Sequence, residues 1–213
     1  VLYRCRLWMI MMEAVKLSDV MAPAFKEVHR AVKHGKYTHF WLKGGRGSTK
    51  SSYISLEIIL SIMRDGAAGN YTNAIVLRRY GVTIRESVYE QMAWAINALK
   101  VSDYWCCGVS PMQFVYIPTG QKVIFRGVDD ATKIKSVKVS NGYIKYIWYE
   151  EANEFEGPEK IRSINQSVMR GGKQFAAFYS YNPPKAARNW VNQYESVERP
   201  DTLVHHSTYL DVP

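Results

Sequence analysis

The sequence has 213 residues, of which 47% are hydrophobic and 22% are charged, a composition that excludes an intrinsically disordered chain and predicts one α/β domain with a sizeable core. The formal net charge of +9 favours a polyanion as partner, because basic surfaces release counterions from phosphates; general solubility charge is the alternative. No run approaches the roughly 18 apolar residues of a membrane span, and the three cysteines, at 5, 106 and 107, have no disulfide or zinc spacing, which favours a reducing, intracellular compartment.

Apolar periodicity predicts alternating helices and strands from residue 19 onward. Helices are predicted at 19–35, 51–63, 83–99 and 158–169, and strands at 37–42, 74–77, 143–149 and 174–181. Residues 113–117 and 122–125 predict an antiparallel excursion around the turn at 118–120. This alternation implies a mainly parallel sheet with helices on both faces. We therefore expect one domain at 19–213, preceded by a segment of uncertain status at 1–18.

A glycine-rich loop lies between the first predicted strand and the second predicted helix, which is the context of a phosphate-binding loop. Glycines let backbone N–H groups turn toward phosphates, and the helix N-terminus adds a favourable dipole. Lys50 would reach the β- and γ-phosphates of ATP, and the Ser51 hydroxyl would bind Mg²⁺. The predicted ATP-binding residues are Gly45, Arg46, Gly47, Ser48, Thr49, Lys50, Ser51 and Ser52.

Thr49 departs from the usual G-x-x-x-x-G-K-[ST] pattern, in which glycine precedes the lysine. A β-branched residue tolerates a left-handed backbone poorly, so the loop must differ there or absorb strain. We also expect Lys50 to be exposed and to bind only phosphate. A glycine-rich turn without a phosphate role is the alternative.

An acidic pair ends the apolar run of residues 146–149, which predicts a buried central strand. The carboxyl ends of strands are where open α/β sheets bind ligands. Glu150 would sit by the magnesium ion, and Glu151 would polarise the attacking water as general base. In isolation, such a pair is more typical of a helix cap or a solvated turn.

A polar residue also ends the last predicted strand. Asn182 is followed by two prolines that stop the strand, so it would lie at the same sheet edge and within reach of the γ-phosphate. A strand-ending Asn-Pro turn is the alternative.

Together these three segments resemble the N-terminal ATPase domain of phage terminase large subunits. The loop at 44–51 looks like that family's phosphate-binding loop, residues 149–155 like its acidic strand end, and residues 180–183 like its coupling motif. Segments 77–79, 85–87, 125–127 and 135–136 also fit the branch found in phages of Gram-positive bacteria. The likeness covers residues 20–210, and it implies a RecA-like P-loop ATPase core.

The resemblance assigns three roles to matching residues. Arg46 would contact the γ-phosphate, Glu151 would be the catalytic carboxylate, and Asn182 would couple hydrolysis to movement; a surface arginine is the other reading of Arg46. It further implies ATP and Mg²⁺ as cofactors and translocation of double-stranded DNA into a procapsid in the host cytoplasm. The implied assembly is a ring-shaped homo-oligomer during packaging, with a monomer in isolation as the alternative. The implied protein partners are the portal protein and the small terminase subunit.

The family's large subunits carry a second, nuclease domain, for which we expect no counterpart in this chain, because no later cluster of acids could bind two metals. We interpret Glu195, Glu198, Asp201 and Asp211 as scattered surface charge. Lys133, Lys135 and Lys138 are candidate DNA contacts, or an ordinary solvated loop. Two rival functions remain: another nucleic-acid motor, or a nucleotide-binding regulatory module with little turnover.

Overall fold

The computed structural model describes residues 15–129, 134 and 137–211. Cys5, Lys133, Lys135 and most of the N-terminal segment lie outside these residues. Over the described ranges the α-helices are α1 (Leu17–Val20), α2 (Lys26–Lys33), α3 (Lys50–Ala67), α4 (Glu90–Ala98), α5 (Pro158–Val168) and α6 (Trp190–Glu195). The strands are β1 (His39–Gly44), β2 (Thr72–Arg78), β3 (Trp105–Val109), β4 (Met112–Tyr116), β5 (Gln121–Gly127), β6 (Tyr143–Glu150), β7 (Ala176–Tyr181) and β8 (Thr202–Ser207).

All eight strands form one sheet in the order β3-β4-β5-β2-β6-β7-β1-β8. From β5 to β8 every neighbouring pair is parallel, whereas β4 is antiparallel to both of its neighbours. The expected mainly parallel sheet with an antiparallel excursion is therefore confirmed.

Alternate residues of the central strands enter two separate cores, one on each face of the sheet. On one face Phe40, Val76 and Trp148 pack with apolar residues of α2, α3 and α4. On the other face Trp41 and Tyr149 pack with apolar residues of α5 and α6. This division confirms helices on both faces, as expected for a doubly covered parallel sheet.

The structure corrects several predicted elements. The helix expected at 19–35 is interrupted, because Met21 and Ala22 are extended and Pro23 starts a new 3-10 turn before α2. The segment expected to form one helix at 83–99 contains a π-helical turn at Arg85–Tyr89, and the α-helix α4 begins only after it. The strands β3 and β8 and the helix α6 had no predicted counterpart. Within the described part of the chain, no helix is both long and apolar enough to cross a membrane.

Candidate nucleotide-binding site

Three neighbouring strands deliver the predicted site residues to one edge of the sheet. β7 lies between β6 and β1, with Glu150 beside Ser180 and Lys43 beside Tyr181 in the register. Because these strands are parallel, the loops that follow them emerge side by side at their carboxyl ends.

An open cavity of about 320 Å³ lies between these loops. It brings together residues from the glycine-rich loop, the acidic strand end and the end of β7. Its lining residues are Arg46, Gly47, Ser48, Thr49, Lys50, Ser51, Ser52, Glu151 and Asn182. Gly45 and Glu150 adjoin this lining through hydrogen bonds to Lys50 and Ser51. The structure thus gathers every residue that the sequence singled out for nucleotide chemistry.

The glycine-rich loop is tightly bent between β1 and α3. Thr49 has φ 55° and ψ 14°, so the residue in the usual glycine position does adopt a left-handed backbone and absorbs the strain. Its hydroxyl oxygen is buried and has no hydrogen-bond partner in the described residues. At Gly44 a Cβ would lie 2.1 Å from the Ser207 carbonyl oxygen, so only glycine lets the loop start beside β8.

Lys50 is the first residue of α3 and points back over the loop. Its Nζ donates to Asn182 Oδ1 at 2.8 Å and to the Gly45 carbonyl oxygen at 3.2 Å. The expectation of an exposed lysine was wrong, because only 8% of Lys50 is accessible. Burial lowers the pKa of the ammonium group, and the nearby carboxylates of Glu150 and Glu151 oppose that shift.

Glu150 is held by hydroxyl groups from two different elements. Ser51 Oγ donates to its Oε1 at 2.9 Å, and Ser180 Oγ donates to its Oε2. Ser180 in turn accepts from Trp148 Nε1 at 2.8 Å, which fixes the serine. Burial raises the pKa of Glu150, and the hydrogen bond from Ser180 works against that rise. One carboxylate therefore links β6 to β7 and to the start of α3.

Glu151 lies in the cavity wall in different surroundings. It has φ 53°, a left-handed backbone that turns the chain directly after β6. Burial raises its pKa, while the positive charge of Arg78 at the end of β2 is the main influence that lowers it. Arg78 Nη2 also lies 3.5 Å from Glu154 Oε2, in the turn that follows Glu151.

Arg46 is exposed and lines the cavity, and its charge also lowers the pKa of Glu151. Asn182 lies opposite the loop and contacts it through Lys50. Both residues are therefore available to a ligand in the cavity. Among the other predicted residues, Lys138 is exposed and lines a different cavity.

Two residues at this edge lay in segments noted in the sequence but had no individual role assigned, and a third was misread. Ser180 and Arg78 each stand at or near the end of a buried strand, the same signal that identified the acidic pair. Glu195, interpreted as surface charge, instead has a side chain only 13% exposed that contacts Lys43 and Tyr181. Its long sequence separation from Lys43 hid this contact.

Comparison with known proteins places these motifs in a wider context. The model of the family "Phage terminase large subunit" matches residues 36–213. The terminase large subunit of Bacillus phage SPP1 is 42% identical over 208 residues, which cover 95% of this chain and 48% of that protein. The PBSX phage terminase large subunit of Bacillus subtilis (strain 168) is 28% identical over 82% of this chain and 42% of its own length. The chain thus spans about half the length of these relatives.

Solved structures share the fold at low sequence identity. The large terminase of a thermophilic bacteriophage, in complex with ATP-γ-S, has a TM-score of 0.65 and 11% identity, over 90% of this chain and 45% of that one. The large terminase ATPase domain of Thermus phage P74-26 has a TM-score of 0.60 and 13% identity, over 84% of this chain and 79% of that one. These likenesses show that the chain shares the fold of these terminase structures, in agreement with the expected RecA-like fold.

Proposed function

The chain belongs to the family of phage terminase large subunits, and from that membership we propose that it binds and hydrolyses ATP to drive double-stranded DNA into a procapsid. The observation that carries the proposal is the convergence of the loop, Glu151 and Asn182 on one cavity around Lys50. A bound nucleotide's phosphates fit the glycine-rich loop at the N-terminus of α3, where backbone N–H groups and the helix dipole favour anions.

In this proposal the side chains divide the work. Lys50 exchanges its bond to Asn182 for the β- and γ-phosphates, and Arg46 contacts the γ-phosphate from the open side of the cavity. Glu151 orients and polarises the attacking water, a role suited to a carboxylate whose pKa is raised by burial. When ATP binds, Asn182 loses its hydrogen bond to Lys50, and this change couples the bound nucleotide to β7.

A magnesium ion fits the hydroxyl–carboxylate pair beside the loop. Ser51 Oγ and Glu150 Oε1 are hard oxygen donors 2.9 Å apart, and Mg²⁺ typically takes one or two such protein ligands together with substrate phosphates. When bound, the ion would neutralise charge that develops on the phosphates. Ser180 holds the second oxygen of Glu150, so the carboxylate is already oriented toward the loop.

The partners follow from the family rather than from the site. We propose contacts with the DNA phosphate backbone that are independent of sequence, as translocation along any sequence requires. A ring of subunits, the portal protein and the small terminase subunit complete the proposed assembly, in the host cytoplasm. Another nucleic-acid motor would use the same nucleotide chemistry and differ only in these partners.

Replacing Lys50 tests the nucleotide assignment. We expect Lys50→Ala to lose measurable ATP turnover, because the phosphates lose their cation. Phosphate release measures this loss, and the thermal unfolding midpoint controls for the fold, since the variant also leaves Asn182 Oδ1 without its donor. Parent-like turnover in Lys50→Ala would show that the loop is not the phosphate site.

A further inference from the structure

The short helix α6 packs on one face of the sheet, near the edge that carries the nucleotide site. Val191 is fully buried, and the rings of Trp190 and Tyr194 lie 6.2 and 5.4 Å from the ring of Trp41 in β1. Trp190 Nε1 also donates to the Phe155 carbonyl oxygen at 2.8 Å, just past the acidic strand end. These contacts hold in place the helix that ends at Glu195.

That last residue, Glu195, joins two strand ends. Its carboxylate accepts hydrogen bonds from Lys43 Nζ and from the Tyr181 hydroxyl group. Burial first, and then the neighbouring Glu195, raise the pKa of Tyr181, so the phenol keeps the proton that it donates. The Glu195 and Lys43 side chains are 13% and 28% exposed, which limits the competition from water.

Lys43 and Tyr181 occupy a particular place in the sheet. They are the last paired residues of β1 and β7, so backbone pairing between the two strands ends here. The next residue after Lys43 begins the glycine-rich loop, and the next residue after Tyr181 is Asn182. Beyond Lys43 and Tyr181, the loop and the end of β7 are joined by the hydrogen bond from Lys50 Nζ to Asn182 Oδ1, which is 2.8 Å long.

We propose that Glu195 is a positioning residue for ATP hydrolysis, which holds Asn182 in place relative to the phosphate loop by tying Tyr181 to Lys43. This role rests on the proposed function. Phosphate binding itself depends on the loop backbone and α3, whereas the hydrogen bonds of Glu195 go to Lys43 and Tyr181. Losing the tie should therefore slow the chemical step while leaving ATP affinity almost unchanged, because an error of about 1 Å in a positioned group can cost 10²-fold in rate.

Glu195→Gln tests this role, with Glu198→Gln as the matched control. The amide keeps the size of the side chain but removes the charge that pairs with Lys43, and only one of its two polar atoms can accept a hydrogen bond. Glu198 is an exposed acid in the segment that follows α6. We expect kcat of Glu195→Gln to fall roughly 10- to 100-fold, with KM for ATP changed less than about 3-fold, and Glu198→Gln to match the parent.

Tyr181→Phe is the second variant, because it removes one hydroxyl group and keeps the Lys43–Glu195 ion pair. We expect a smaller loss of kcat at unchanged KM, and the Glu195→Gln/Tyr181→Phe double variant to be no slower than Glu195→Gln alone, since both changes break the same tie. If Glu195→Gln fails to fold, as thermal unfolding would reveal, Tyr181→Phe decides by the same split between kcat and KM.

The outcomes separate the two claims. Turnover in Glu195→Gln and Tyr181→Phe equal to that of an active parent overturns the role of Glu195 alone. A fall in kcat and a rise in KM of similar size, in proportion to the loss of thermal stability, also overturns it. A bridge with only a structural role would change both constants in that way. A parent chain that releases no phosphate from ATP overturns the proposed function, and the positioning role with it.

Discussion

Glu150 and Glu151 are neighbours in sequence but meet different groups, and this difference separates their proposed roles. Glu150 has both oxygens occupied by serine hydroxyl groups, whereas Glu151 borders the open cavity. A carboxylate with fixed donors suits a metal ligand, and a carboxylate facing the cavity suits a base that must reach water.

Substituting each glutamate by glutamine distinguishes the two roles. We expect Glu151→Gln to bind ATP nearly normally but to lose turnover by roughly 10²–10⁴-fold, the contribution of a positioned base. Glu150→Gln should instead weaken Mg²⁺-dependent nucleotide binding. Titration of Mg²⁺ against both variants, with binding and turnover measured separately, checks this. Normal hydrolysis in Glu151→Gln with an inactive Glu150→Gln would exchange the two roles.

The sequence predicts residues at this scale when they interrupt a pattern. Glu150 and Glu151 are conspicuous because they end an apolar run, and Lys50 because it follows glycines. The burial of Lys50 could not be predicted, since one of its partners is Asn182, 132 residues later in the chain. For the same reason nothing local distinguishes Glu195, with its tyrosine and lysine partners, from the exposed Glu198.

At the scale of elements, Asp65 joins α3 to two strands. Near the end of the helix it is 7% exposed, and it accepts hydrogen bonds from Thr72 Oγ1 in β2 at 2.8 Å and from Tyr146 OH in β6 at 2.7 Å. Lys145 Nζ lies 2.9 Å from the same carboxylate. The distal end of the helix that starts at the phosphate loop is thus anchored to the sheet.

Removing this anchor should destabilise the fold strongly. We expect Asp65→Ala to lower the free energy of unfolding by about 3 kcal/mol, because several buried donors lose their acceptor at once. Tyr146→Phe, which removes a single donor, should cost about 1 kcal/mol. Urea unfolding of both variants measures the difference. A smaller loss in Asp65→Ala than in Tyr146→Phe would contradict the anchoring role.

Elements with a strong apolar signal are predictable, and short edge elements are not. β6 and β7 are nearly continuous apolar runs, and α3 repeats isoleucine at helical spacing, so all three were predicted near their observed bounds. In contrast, β8 contains two histidines and has exposed residues along one edge of the sheet, and α6 has only six residues. Their formation depends on packing against β1, which local pattern does not encode.

At the scale of the whole molecule, the basic residues behind the net charge of +9 are spread along the sequence rather than gathered in one tail. Basic side chains are dispersed along the chain, so any contact with DNA joins residues from several elements. The proposed contacts would therefore be with DNA phosphates rather than with base edges.

We expect the chain to bind double-stranded DNA weakly, without sequence preference and with steep salt dependence. Even three contacted phosphates give a slope of about −2.7, which is roughly a 40-fold loss of affinity between 50 and 200 mM salt. Fluorescence anisotropy with two duplexes of different sequence measures both properties. Binding that ignores salt, or that strongly prefers one duplex, would contradict a translocating motor.

The position of β1 in the sheet has a consequence for how the protein is made. His39 pairs with Ala177 in β7 and with Thr202 in β8, so both neighbours of this strand are synthesised more than a hundred residues after it. At about 5–20 residues per second, β7, the first of these neighbours, is completed roughly 7 to 28 seconds after β1. Throughout that interval the glycine-rich loop follows a strand that lacks both of its neighbours in the sheet. Unpaired strand edges are prone to aggregate, so we expect β1 to be protected only after β7 and β8 have been made.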